Sequence, residues 1–177
     1  MSLTAFSELP GSARPWCFGT DRPPTPREAG RIVEEMRDFL PDWTAHRSEL
    51  HAGFDWRHDR FLLVAVDESA APASGCSIDA LLRRLQGLEE ELDLSLTDGS
   101  PVWFRDPADE GRVRCVGRPA FRRLAARGRV DGRTTVFDPT LERVEELRGG
   151  AWELPAASSW HARLLPDSEP AASSAEG

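Results

Sequence analysis

From Phe61 to Val66 the chain is uninterruptedly apolar, and Asp67 and Glu68 close the run. A short apolar stretch without polar alternation predicts a buried central strand. A loop of small residues follows, then Ser74-Gly-Cys-Ser-Ile-Asp79, after which Ile78, Leu81, Leu82, Leu85 and Leu88 recur at helical spacing and predict a helix over 77–90. Upstream, Thr25-Pro-Arg-Glu28 is a capping box with proline in the first helical position, and Ala29, Ile32, Val33, Met36, Phe39 and Leu40 form one apolar stripe that Pro41 ends. Trp16-Cys-Phe18 reads as a short strand. Leu50 to Trp56 alternates loosely, and His58-Asp59 is a tight turn into the Phe61 strand, so these two segments predict a hairpin. Leu92, Leu94 and Leu96 alternate with Asp93, Ser95 and Thr97 as a half-exposed strand. The order β-α-β-β-α-β predicts an α+β, ferredoxin-like fold, with two helices on one face of a four-stranded antiparallel sheet and the first and third strands in its middle.

A break at Asp98-Gly-Ser-Pro101 opens a second section. Val102–Phe104 and Val113–Val116 predict a hairpin, Pro119 to Gly128 a short helix, Thr134–Phe137 a strand, and Trp152 and Trp160 an apolar closing segment. The organisation expected is a flexible lead-in over 1–11, a ferredoxin-like domain over 12–98, a small C-terminal section over 99–165 packed on it, and a disordered tail over 166–177, which is small and acidic.

Composition narrows the chemistry. The 177 residues carry a net charge of -8, which argues against nucleic acid as a partner, since that affinity rests on clustered cations. All 22 basic residues are Arg, so a P-loop lysine and a Schiff-base lysine are excluded, and without any Tyr so is a catalytic tyrosine. Three widely spaced cysteines with no CxxC pair give neither a disulfide framework nor a zinc module. No membrane-length apolar window and no leader pattern occur, which points to a cytoplasmic protein, and no cofactor is expected.

In the expected topology the end of the first helix, the end of the third strand and the start of the second helix share one edge of the sheet. Trp43, His46, His51, Asp67, Glu68, Ser74, Cys76, Ser77 and Asp79 then converge, about the turn at Gly75. A thiol at a helix N-terminus has its pKa lowered when a cation assists, and His46 is placed to be that cation or a general base. The alternative is a small hydrophobic Cys76 filling a strand-to-helix turn, with Ser77 or Asp79 as cap. A metal site from Cys76, His46, His51 and Asp67 lacks the short-spaced ligand pairs of zinc sites. Asp67 and Glu68 point to opposite faces of their strand, so one of them at most faces a given pocket. Arginines at 112, 114, 118, 122, 123, 127, 129 and 133 form a basic patch, read either as a solvated face or as a surface for an acidic partner or RNA, although no aromatic stacking pattern runs through it.

At Trp43-Thr-Ala-His46, Val66-Asp-Glu-Ser69, Ser74-Gly-Cys-Ser-Ile-Asp79 and Ser159-Trp-His161 the chain resembles a bacterial protein family without an assigned activity, over about residues 14–163. Its members often carry the label "ABC transporter ATPase", which requires a GxxxxGK[ST] loop that this sequence lacks. Phe121-Arg-Arg-Leu through Gly128-Arg-Val and Thr135-Val-Phe137 resemble the helix-strand portion of GYF-type adaptor modules, without the tyrosine of their name motif; the resemblance implies peptide binding. Three functions are expected from these readings. One is binding of a small, anionic ligand at Gly75-Cys76-Ser77, another a thiol-dependent enzyme using Cys76 with His46. The last is a non-catalytic protein-interaction module working through an open sheet face or the Arg112–Arg133 region. An enzyme requires a cleft around Cys76 with a basic group near the sulfur; a module requires an exposed apolar or basic patch.

Overall fold

The computed structural model describes residues 3–45, 48–69 and 71–166. Its elements are β1 (Arg14–Gly19), α1 (Pro26–Phe39), the two-residue strands β2 (Thr44–Ala45) and β3 (Ser48–Glu49), β4 (His51–Arg57), β5 (Phe61–Asp67), α2 (Gly75–Leu92), β6 (Val102–Arg105), β7 (Val113–Val116), α3 (Arg118–Ala126), β8 (Thr135–Phe137), α4 (Val144–Arg148) and β9 (Glu153–Pro155). The protein is α+β, with antiparallel sheets.

The first sheet has the order β1-β5-β4. Trp16 and Phe54 both stand opposite Val64, so the apolar run is the middle strand, between the two segments expected to flank it. His58 and Asp59 adopt left-handed φ of 53° and 51°, and the Arg60 amide donates to the Arg57 carbonyl at 3.0 Å. This is a type I′ turn, the hand that suits a twisted hairpin. α1 starts on the Thr25–Glu28 capping box, with both reciprocal bonds formed.

β5 lacks polar alternation because both of its faces are buried. Leu62, Val64 and Val66 pack with Ile32 and Met36 of α1 and Leu81, Leu85 and Leu88 of α2. Phe61, Leu63 and Ala65 pack with Trp103, Phe137 and Trp152 from the C-terminal section and with Phe6 and Leu9. Two expectations are corrected here. The first sheet has no open face, and the lead-in is not loose: Phe6 and Leu9 are 6% and 3% exposed. Two apolar side chains without a periodic pattern are enough when a hydrophobic sheet face awaits them, each stabilising by roughly 1.5–3 kcal/mol.

Residues 93–97 form no strand. Asp93 is left-handed and ends α2, and the Glu89 carboxylate accepts the amides of Leu96 and Thr97, both at 2.6 Å. Those donors are thereby diverted from any ladder. The Asp21 amide donates to the Ser95 carbonyl at 3.1 Å beside the end of β1, but by Val102 the chain has crossed to the far face of the sheet. Leu94 and Leu96 remain buried against α1 and α2.

The second sheet has the order β7-β6-β8-β9, and β6–β7 is the expected hairpin. β9 and α4 arise in the stretch read only as a closing segment. The outer face of this sheet, Val102, Phe104 and Val136, packs with Phe121 and Ala125 of α3 and with Leu164. The layers are therefore α1 and α2, first sheet, second sheet, then α3. The expected tail lies outside the described residues from 167 onward.

Candidate functional site

The end of α1 and the start of α2 do meet. The Trp43 indole N–H donates to the Ser77 carbonyl at 2.8 Å, and Trp43 is 2% exposed, edge-on to Trp16. Ser74 is the N-cap: its hydroxyl accepts the Ser77 amide at 3.2 Å, while the Ser77 hydroxyl donates to the Ser74 carbonyl at 2.8 Å. The helix begins two residues earlier than the spacing indicates, so Gly75 is helical, without the left-handed φ that would demand glycine, and Asp79 lies beyond the first turn. Trp43, Ser74 and Ser77 are thus occupied in fixing the α1–α2 junction.

The carboxylates close their own loop. Glu68 accepts the Ala73 amide at 3.0 Å and has Arg14 at 3.8 Å. Asp67 accepts the Ser69 amide at 3.0 Å, and the hydrogen bonds from Ser69 hold its carboxyl below the usual value. His51 is exposed opposite Asp67 in the ladder, lining a shallow 300 Å³ groove with Leu40, Pro41 and Leu50. His46 lies outside the described residues.

Cys76 is exposed. With Ser74 taking the Ser77 and Ile78 amides, the Gly75 and Cys76 amides have no acceptor among the described residues. The turn therefore offers an accessible thiol and two free donors. None of the five cavities characterised in this fold is lined by Cys76, and among the described residues Arg14 on Glu68 is the cation within ion-pair distance of the neighbouring side chains. Among the described residues no group of three or more His, Cys, Asp or Glu is placed to hold a metal ion. The other two thiols are half-buried, and burial pushes Cys17 up to about 12 and Cys115 up to about 11.

The remaining polar features lie elsewhere. His161 is fully buried in the outer core, with Nδ1 2.7 Å from the Ser159 hydroxyl and its ring stacked on Trp160 at 3.8 Å; burial pulls its pKa down to about 4. His58 stacks on Trp152 and pairs with Glu153, which also takes Arg105 at 2.6 Å, so the tip of the β4–β5 hairpin is tied to β9. A basic flank runs along α3. Arg112 and Arg114 pair with Asp109 and Asp106, and Arg118 lies over the Trp160 ring at 4.7 Å. Arg122, Arg123, Arg127, Arg129 and Arg133 are exposed and make no ion pair among the described residues.

Sequence reasoning missed a groove of about 500 Å³ beside β1, lined by Arg14–Phe18 and Pro139–Glu142, and a smaller 80 Å³ cavity adjoining it at Cys17, Gly19 and Trp103. Pro15 was the available signal, because proline inside a strand marks an edge. No family model, no curated protein and no solved structure matches this chain.

Proposed function

We propose that the protein is a non-catalytic interaction module whose α3 flank binds an acidic segment of a partner protein. The observation that carries this reading is the set of five exposed arginines at 122, 123, 127, 129 and 133, which make no ion pair among the described residues, in a stretch where Asp131 is the only carboxylate after Glu110 and before Asp138, on a chain of net charge -8. On the 9-residue α3 itself Arg118 and Arg122 stand four residues apart, where like charges repel by a few tenths of a kcal/mol, a cost that an acidic partner relieves. The resemblance of Phe121 to Phe137 to adaptor modules agrees with it. Titration with a glutamate-rich peptide should give salt-sensitive binding that Arg122→Glu with Arg127→Glu abolishes. Binding unchanged by that charge reversal, or preferential binding of single-stranded RNA in the same assay, would reject an acidic protein as the partner.

A second reading rests on the exposed Cys76 and the two free amides before it: a small, anionic ligand at Gly75-Cys76-Ser77, or a thiol reaction there in which His46 takes part. A phosphate or carboxylate ligand that slows Cys76 alkylation would support it, and the absence of any such protection would remove it. The βαββα order with β5 between β1 and β4 supports a ferredoxin-like description of the N-terminal section in which the fourth strand position stands vacant.

A further inference from the structure

That vacancy has a defined chemistry. In an antiparallel ladder, residues alternate between those that exchange both bonds with the partner strand and those whose amide and carbonyl both point away. The Thr20 amide donates to the Arg60 carbonyl at 2.9 Å, one step beyond the Gly19–Phe61 pair. Thr20, Phe18 and Trp16 therefore turn their polar groups toward β5, while Gly19, Cys17 and Pro15 turn theirs outward. The free edge of β1 presents two amides, of Cys17 and Gly19, and three carbonyls. Pro15 sits where its missing N–H costs no ladder bond.

On the far face the lead-in lies directly over β4, where a Cβ at Gly53 would sit 2.5 Å from the Thr4 carbonyl. Along Arg14–Phe18 the β1 edge is walled but, among the described residues, not covered; at Gly19 the segment Leu96–Gly99 borders it across the 80 Å³ cavity. Val144 and Glu145 donate to the carbonyls of Ala13 and Gly11 at 2.9 and 2.8 Å, so the two chain segments are joined there. From that point they diverge, and the 500 Å³ groove opens between Arg14–Phe18 and Pro139–Glu142. Five residues of edge run for about 17 Å. Trp16, Pro139 and Leu141 give the groove apolar walls.

We propose that this groove receives an extended segment of a partner protein as an added antiparallel strand on β1, with apolar side chains at alternate positions and an N–H-bearing residue opposite Cys17. Strand addition draws its affinity from main-chain bonds and its selectivity from alternate side-chain pockets, and the groove supplies both. A second copy of the whole chain fits less well. The Pro139–Glu142 wall belongs to the far-face side, where Leu141 packs with the second core. A two-fold axis through paired β1 edges keeps like faces together and brings both walls to the same seam. A single strand meets only one wall. This inference does not depend on the arginine flank.

The test uses the full chain and a random-peptide phage library as probe. In the free protein the Cys17 and Gly19 amides should exchange with deuterium quickly, while those of Trp16 and Phe18 exchange slowly. Selected peptides with alternating apolar residues should protect the Cys17 and Gly19 amides. Cys17→Pro, which removes one outward donor and no β5 bond, should weaken them about threefold to tenfold. N-methylation of the peptide residue opposite Cys17 should do the same. Leu141→Arg touches no ladder bond and provides an independent variant if Cys17→Pro does not fold; it should also lose binding. Amides of Cys17 and Gly19 already protected in the monomer would overturn the proposal. So would a library that yields only peptides indifferent to both variants, or a peptide-free dimer in which the Cys17 amide is protected.

Discussion

Arg60→Met sets two large effects against each other at the seam between the sheets. Arg60 is 4% exposed, and its guanidinium donates to the Thr20 hydroxyl at 3.1 Å, the Thr20 carbonyl at 2.9 Å and the Val113 carbonyl at 2.8 Å. No carboxylate forms an ion pair with it among the described residues, and burial lowers its pKa from the ordinary guanidinium value. Replacing a buried charge by an apolar side chain removes a desolvation cost of several kcal/mol, and such exchanges are often neutral or stabilising. Here the acceptors are backbone carbonyls, which no substitution at position 60 removes. The Thr20 carbonyl keeps the Trp103 indole N–H at 2.9 Å. Val113 has no such reserve: the Asp106 amide donates to the Arg112 carbonyl, so by alternation Val113 faces away from β6 and toward Arg60.

An orphaned buried carbonyl costs about 1–3 kcal/mol, and a lost charged hydrogen bond to the Thr20 hydroxyl about 1.5–3 kcal/mol, part of which the relieved desolvation offsets. The expected net loss is about 2–4 kcal/mol, or a Tm lower by about 5–15 °C for a chain of this size. Urea titration followed by tryptophan fluorescence, with the slope m checked for constancy, measures it. Arg60→Lys should fall between the two, since an ammonium keeps the charge but not the fork that reaches four acceptors, the Asp21 carbonyl at 3.4 Å among them. A methionine variant as stable as the parent, or more so, would show that desolvation of the cation outweighs the carbonyls and that the seam does not need Arg60.

His161 gives a pH signature: its folded pKa of about 4 lies below the ordinary value of about 6.5, so the unfolded chain takes up a proton between the two and the folded chain does not. Its contribution is complete above about pH 6.5 and falls as pH drops toward 4, by up to about 3 kcal/mol, so denaturant midpoints of His161→Gln should decline less steeply over that window; parallel profiles would refute it. Gly19→Ala should destabilise by about 1–3 kcal/mol through overpacking, because a Cβ there would sit 2.6 Å from the Trp103 indole. A double variant with Trp103→Leu should recover part of that loss, and thermal melts of the pair decide it. Native alkylation at pH 8 should modify Cys76 first, Cys115 next and Cys17 last, following exposure and the thiol values of about 11 and about 12, with order read by peptide mass mapping.

What the sequence discloses here is what local chemistry decides. The Thr25 capping box, the His58-Asp59 turn and the apolar run at Phe61 each carry their own signal, and each forms where its signal stands. The segment 92–96 carries a strand signal equally plain in its alternating leucines. It fails because Glu89, seven and eight residues from Leu96 and Thr97, takes their amides, and a competing side-chain acceptor leaves no periodic trace. β9 is illegible for another reason: three residues ending in Pro155 make a strand only because β8 is already there to pair with. At the candidate site the convergence of Trp43 with the 74–77 turn follows from topology. The use of Trp43 as a donor to the Ser77 carbonyl does not, since a backbone acceptor has no residue identity.

The distribution of free polar groups bears on what kind of protein this is. A catalytic site needs groups held unsatisfied and aimed into a shared, water-limited space. Among the described residues the side chains around Cys76 are mostly satisfied by one another, and the buried groups without a partner, the indole N–H of Trp56, Trp152 and Trp160 and Nε2 of His161, are scattered through the interior; the exposed unsatisfied groups are the arginines in and after α3 on the outermost layer and the backbone of β1 along the lateral edge of the first sheet. Between those two surfaces lies the aromatic junction of Phe61, Phe137 and Trp152, with ring centroids 4.6–5.2 Å apart. Such close packing holds the two sheets in one arrangement and gives neither surface a second state to report to the other. The two surfaces are thus rigidly spaced and chemically different, one electrostatic and one main-chain, an arrangement suited to holding two segments at a fixed separation.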